Sequence, residues 1–158
     1  MSATDNPPRP APGAATAPAR PAETAVVGMD QPIYTFDIDF AGVVSNINYL
    51  KWSEIWRLEF ARRMGMTVPD MLKVGLLPLM VRHELNFRRA LRYGESARLE
   101  GWVERIGTSS VTMWLEMREA GSGELACENR QVMVIVDLKT RQPVPIPDGF
   151  RAKLQEHM

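Results

Sequence analysis

The chain has 158 residues, of which 19 are basic and 19 acidic, and 45% are hydrophobic. That length supports one domain with its own core, and the balanced charge excludes a strongly basic nucleic-acid or polybasic membrane binder. One cysteine, Cys127, excludes an internal disulfide framework and points to a reducing cytoplasm; no run of about eighteen apolar residues offers a membrane span, and the N-terminus lacks the charged start and apolar core of a signal peptide.

Residues 1–29 carry Pro and Ala in place of large apolar side chains, so they bury too little surface to offset ordering and read as a disordered tail. A single domain then runs from 30 to 158. PIYTFDID (32–39) is rich in β-branched and aromatic residues and predicts a first strand. The chain turns at Ala41-Gly42, where Ser45 or Asn46 can cap a helix and Gly65 can end it. Between them Ile47, Tyr49, Leu50, Trp52, Ile55, Trp56, Leu58, Phe60 and Met64 cover most of the helix circumference, so the helix is expected to be enclosed. From 46 to 64 it spans roughly 28 Å.

After a loop or helical turn near Val68–Leu72, strand character takes over. Residues 76–87 alternate with Val81, His83, Leu85 and Phe87 on one face. Strands at 96–107 and 110–120 follow, the second placing Val111, Met113, Leu115 and Met117 together. Gly121-Ser122-Gly123 makes a hairpin turn, residues 125–138 end in an apolar run, and a short helix follows Pro147. The order predicts an α+β fold: an antiparallel sheet of about five strands curled around one long buried helix. Trp102 and Trp114 read as outward-facing, which predicts a partner subunit and at least a dimer.

DIDFAGVVSNINYLKW (37–52) carries Asp37, Asp39, Ala41-Gly42-Val43-Val44, Asn48-Tyr49, Trp52 and Glu54. With the strands that follow, to about 147, it resembles the hotdog-fold acyl-CoA thioesterases of the 4-hydroxybenzoyl-CoA thioesterase type. That resemblance implies hydrolysis of an acyl thioester without metal or organic cofactor. It places the catalytic carboxylate, two residues before the Ala-Gly pair, on Asp39. Phe40 stands where relatives often carry proline or alanine, and Asn46 where many carry histidine or asparagine.

The chemistry is consistent with one carboxylate. A thioester carbonyl is electrophilic and its leaving thiol has a pKa of about 8.5, so departure needs little help from an acid. A carboxylate can attack to give a mixed anhydride or can take a proton from water. Amides at a helix N-terminus suit the oxyanion, and Val43, Val44 and Ser45 lie where those donors belong. Asn46 can orient water or carbonyl, or cap the helix. Glu54, inside the helix, supports the site and finds its partner in a second subunit.

Asp37 reads as structural, holding a backbone amide or an arginine. Asn48 and Tyr49 read as packing and polar anchors, and His83 as a satisfied core residue. For the CoA phosphates the candidates are Arg88, Arg89 and Arg92, with Lys139 and Arg141 beyond the last strand, although charges at strand ends are also ordinary solvated turns. The expected partners are acyl-CoA, or an acyl carrier protein thioester, and further copies of the chain as dimer or tetramer. The competing reading is a non-catalytic hotdog protein that binds acyl thioesters.

Overall fold

The computed structural model describes residues 16–158. The first half of the expected tail, residues 1–15, lies outside the described residues. The second half has defined contacts. Arg20 pairs with Glu100 at 2.9 Å and lies over the Trp102 ring, 5.5 Å from its centroid.

Strand β1 is Val27–Pro32, five residues earlier than its composition suggested. It pairs with β3 (Ser96–Ile106) from Val27 opposite Gly101 to Pro32 opposite Ser96. Pro32 lacks the N–H that would extend the ladder. The stretch expected as strand instead forms a 3-10 turn at Thr35–Asp37, because the Asp37 carboxylate accepts the Tyr34 amide at 2.8 Å.

Helix α1 is Asn46–Arg63. It stops where expected, at Gly65, which takes the left-handed conformation with φ 61°. The Met66 amide then reaches back to the Ala61 carbonyl (2.8 Å) and the Gly65 amide to that of Arg62 (3.1 Å), a Schellman closure. One stripe of α1, Tyr49, Trp52, Trp56 and Phe60, is buried against the sheet. The expected enclosure does not extend to the other side, where Ile47, Leu50, Ile55 and Leu58 are exposed in the single chain.

Short α2 (Val68–Lys73) leads into β2 (Leu76–Phe87), and β4 (Ser110–Glu119), β5 (Leu125–Asp137) and α3 (Asp148–Gln155) complete the chain. The antiparallel sheet runs β1-β3-β4-β5-β2, so β1 and β2 are its edges. A register shift between Met80 and Arg82 makes Val81 a bulge, exposed rather than in line with His83 and Leu85. The sheet curls around α1, which is the hotdog architecture that the resemblance implied.

Trp102 and Trp114, opposite each other on β3 and β4, lie on the sheet face away from α1, as expected, but are already buried within the single chain. Arg20 covers Trp102, and ion pairs such as Arg130 with Glu104 (2.7 Å) and Arg118 with Glu116 (2.8 Å) run between and along the strands. These tryptophans therefore give no support for a subunit interface.

Candidate active site

The loop between β1 and α1 carries the two aspartates, and hydrogen bonds decide their different fates. Asp37 is buried, and its carbonyl accepts the Ser45 amide at 2.9 Å and the Asn48 Nδ2 at 2.8 Å. It latches the loop to the first turn of α1, so Asp37 and Asn48 are structural, as the sequence suggested. Tyr49 anchors as well, edge-on to Phe87 with ring centroids 5.2 Å apart, and burial pushes its phenol up to about 12.

Asp39 is half-buried at the turn itself. Its Oδ1 accepts the Ala41 amide at 2.8 Å, its own amide donates to the Val43 carbonyl at 2.9 Å, and its carbonyl accepts the Gly42 amide at 3.0 Å. Gly42 at φ 76° makes that turn possible. The carboxylate is thus held in place through one oxygen, while Oδ2 has no partner among the described residues.

Two of the three expected backbone donors are already engaged. The Val44 amide donates to the Leu91 carbonyl at 2.8 Å and the Ser45 amide to that of Asp37. The Val43 amide has no acceptor among the described residues, and those of Asn46 and Ile47 open the helix without an intrahelical acceptor. Asn46 is the first helical residue and is exposed; the cap position belongs to Ser45, whose side chain makes no capping bond.

Glu54 lies eight residues along α1 from Asn46, about 12 Å by helical rise, and is exposed in the single chain rather than buried. Beside it lies a polar strip that includes His83, the expected satisfied core residue, together with groups that local sequence spacing does not bring together. The Asn129 Nδ2 donates to Ser53 Oγ at 2.7 Å, and Ser53 donates to the Tyr49 carbonyl at 2.7 Å. His83 Nδ1 lies 3.3 Å from Asn129 Oδ1, and Arg57 donates to Gln131 Oε1 at 2.6 Å. Burial pushes the His83 imidazole below its ordinary value, and burial likewise lowers the Arg57 guanidinium, which Glu54 partly offsets. The signal was present in β5: Asn129 and Gln131 fall in step with inward-facing Cys127 and Met133, polar residues at core positions.

Among the candidates for phosphate, Arg88 is paired with Glu128 at 2.8 Å, and Arg89 with Glu95 at 2.7 Å and Glu124 at 2.9 Å. Arg92 keeps its guanidinium free of a carboxylate among the described residues and is exposed, as are Lys139 and Arg141 in the turn after β5. No group of three His, Cys, Asp or Glu side chains among the described residues is placed to hold a metal.

Known proteins are similar to this chain in sequence or in fold. YneP of Bacillus subtilis, an acyl-CoA thioesterase by provisional name, is 26% identical over 72% of this chain and 82% of its own. A 1,4-dihydroxy-2-naphthoyl-CoA thioesterase from Synechocystis superposes with a TM-score of 0.76 at 17% identity, over 82% of this chain and 96% of that one. SAV2348 of Staphylococcus aureus, whose structure was solved in complex with CoA, superposes with 0.79 at 14% identity, over 84% and 83%. The last two show the fold. The profile of the thioesterase-like superfamily matches residues 34–154, taking in the aspartate loop, α1 and strands β2 to β5, and the chain belongs to that superfamily.

Proposed function

We propose that the chain is a thioester hydrolase that cleaves an acyl-CoA to free acid and CoA thiol, with Asp39 as its reacting carboxylate. The carrying observation is Asp39 held through Oδ1 in the turn that opens α1, with Oδ2 and the Val43 amide of the same turn both without a partner among the described residues. Membership of the thioesterase-like superfamily supports the reaction class, and the name of YneP supports a CoA ester. The resemblance of the motif to the 4-hydroxybenzoyl-CoA thioesterase type supports Asp39 as that carboxylate.

Asp39 attacks the thioester carbonyl, the tetrahedral oxyanion collapses with loss of CoA thiolate, and water hydrolyses the resulting anhydride. Alternatively the same carboxylate takes a proton from the attacking water. The amides of Val43, Asn46 and Ile47 replace Val44 and Ser45 as oxyanion donors in this reading. Arg92 takes the phosphate role from Arg88 and Arg89.

Two copies complete the site. β2 is a twelve-residue edge strand, and the exposed stripe Ile47, Leu50, Ile55 and Leu58 on α1 is apolar; edge-to-edge pairing of β2 satisfies the first and buries the second. Glu54 sits on that same exposed side and faces the second copy, where it supports the reacting groups. The cytoplasmic setting expected from cysteine usage belongs to the same reading.

The test is Asp39→Asn, which keeps Oδ1 for the Ala41 amide. Hydrolysis of a panel of short, long and aromatic acyl-CoA esters is expected to fall about 100-fold or more, with the melting temperature unchanged. Unchanged turnover removes Asp39 from the mechanism. Binding of every ester without turnover by the wild type moves the chain to the non-catalytic reading.

A further inference from the structure

Between the C-terminal half of α1, α2 and the inner face of the sheet lies a cavity of about 310 Å³. Six of its lining residues are methionines: Met64 and Met66 at the end of α1, Met71 on α2, Met80 on β2, Met113 on β4 and Met133 on β5. The charged groups lining it are Glu54 and Arg57, neighbours on one turn of α1, while Ala61 supplies the smallest side chain of its wall. The cavity is therefore apolar over most of its surface and polar at one end.

We infer that this cavity takes an unbranched aliphatic acyl chain of medium length, with its polar head at Glu54 and Arg57, on the side of α1 that faces the second copy and its reacting carboxylate. At about 30 Å³ for a group the size of water, the volume holds roughly ten such groups, or a chain of about eight to ten carbons. Methionine is unbranched and flexible, so a wall built from it follows the bends of a chain and tolerates variation in length. A hydroxylated aromatic acyl group fits less well, because its hydroxyl at the deep end would meet methionine and aliphatic side chains and lose its hydrogen bonds to water. The inference rests on the thioesterase reading for the head group, CoA thioester rather than carboxylic acid.

Two measurements test it. The first is kcat/KM for straight-chain acyl-CoA esters from four to fourteen carbons, with benzoyl-CoA alongside, for the wild type and Ala61→Phe, which fills the cavity. The wild type is expected to gain about 3–4-fold per added methylene up to eight to ten carbons and then level off. Ala61→Phe is expected to lose at least 10-fold on the ten-carbon ester while the four-carbon ester changes less than 2-fold.

The second measurement needs no turnover and no variant. In wild-type protein carrying ¹³C-methyl methionine, decyl-CoA, a thioether that cannot be hydrolysed, is expected to shift several of the six methionine signals, and butyl-CoA to leave them in place. Decanoate shifting the same signals as strongly as decyl-CoA assigns the head to a free acid and overturns the CoA part of the inference. Turnover with a flat chain-length profile and unmoved methionine signals overturns the cavity assignment and leaves the thioesterase standing. Shifted signals with no turnover on any ester do the reverse.

Discussion

Gly101 on β3 lies directly beneath the indole of Trp56 on α1: a Cβ at this position would collide with ring atoms Cζ2 and Cη2. The absent side chain lets the helix settle onto the sheet, and the Trp56 Nε1 then donates to the Val27 carbonyl of β1 at 2.9 Å. One glycine thus sets the depth at which α1 is seated on the sheet. Gly101→Ala is expected to lower stability by about 1–3 kcal/mol through overpacking, measured by urea or thermal unfolding. An unchanged midpoint would show that the helix can rise without cost.

The buried polar strip makes stability depend on pH. The His83 imidazole is held below its ordinary value of 6.5 by burial, so near and below pH 6.5 the unfolded chain binds a proton that the folded chain refuses. Stability from this residue is therefore full above pH 6.5, declines as pH falls from there towards the lowered folded value, and then levels off. Unfolding midpoints between pH 5.5 and 7.5 are expected to slope downward towards acid in the wild type and to slope less in His83→Gln. Parallel slopes in the two proteins would mean that the imidazole is solvated.

Two arginines four residues apart are expected to behave differently. Arg88 holds buried Glu128, so Arg88→Ala is expected to cost about 1.5–3 kcal/mol of stability, the scale of a hydrogen bond to a charged group. Arg92→Glu is expected to leave the melting temperature unchanged and to raise KM for a CoA ester about 2–5-fold, the size of an exposed ion pair. A matched short thioester lacking the nucleotide separates phosphate contact from general damage: an equal rise in KM on both substrates would remove Arg92 from the CoA site.

The open edge of β2 and the apolar stripe of α1 predict a particle of at least twice the 17.8 kDa chain mass in size-exclusion chromatography with light scattering. Val81→Lys on the edge and Leu58→Asp on the stripe, exposed positions in the single chain, are each expected to yield monomer without loss of secondary structure. A wild-type monomer would leave Glu54 facing solvent and out of the proposed site.

Local signals carried much of the architecture. β2 falls at the expected residues, and β3, β4 and β5 end one residue earlier than expected, because alternation and the intervening turns are properties of neighbouring residues. α1 runs from Asn46 to Arg63, one residue shorter than expected, because the Gly65 stop is equally local. The motif around Asp39, too, is contiguous and needs no distant partner to be seen.

What the sequence left open depended on residues far apart in the chain. β1 lies at Val27–Pro32 because its ladder partner is β3, some seventy residues on, while the strand-like Thr35–Asp37 folds into a turn under the pull of one carboxylate. Trp102 and Trp114 were readable as facing away from the helix, but their burial comes from Arg20 and from ion pairs spread over several strands. The choice among Arg88, Arg89 and Arg92 likewise turned on Glu128, Glu95 and Glu124. Sequence spacing determines which face a side chain occupies; only the tertiary structure decides what meets it there, because burial and charge pairing are set by whatever group the fold brings into contact.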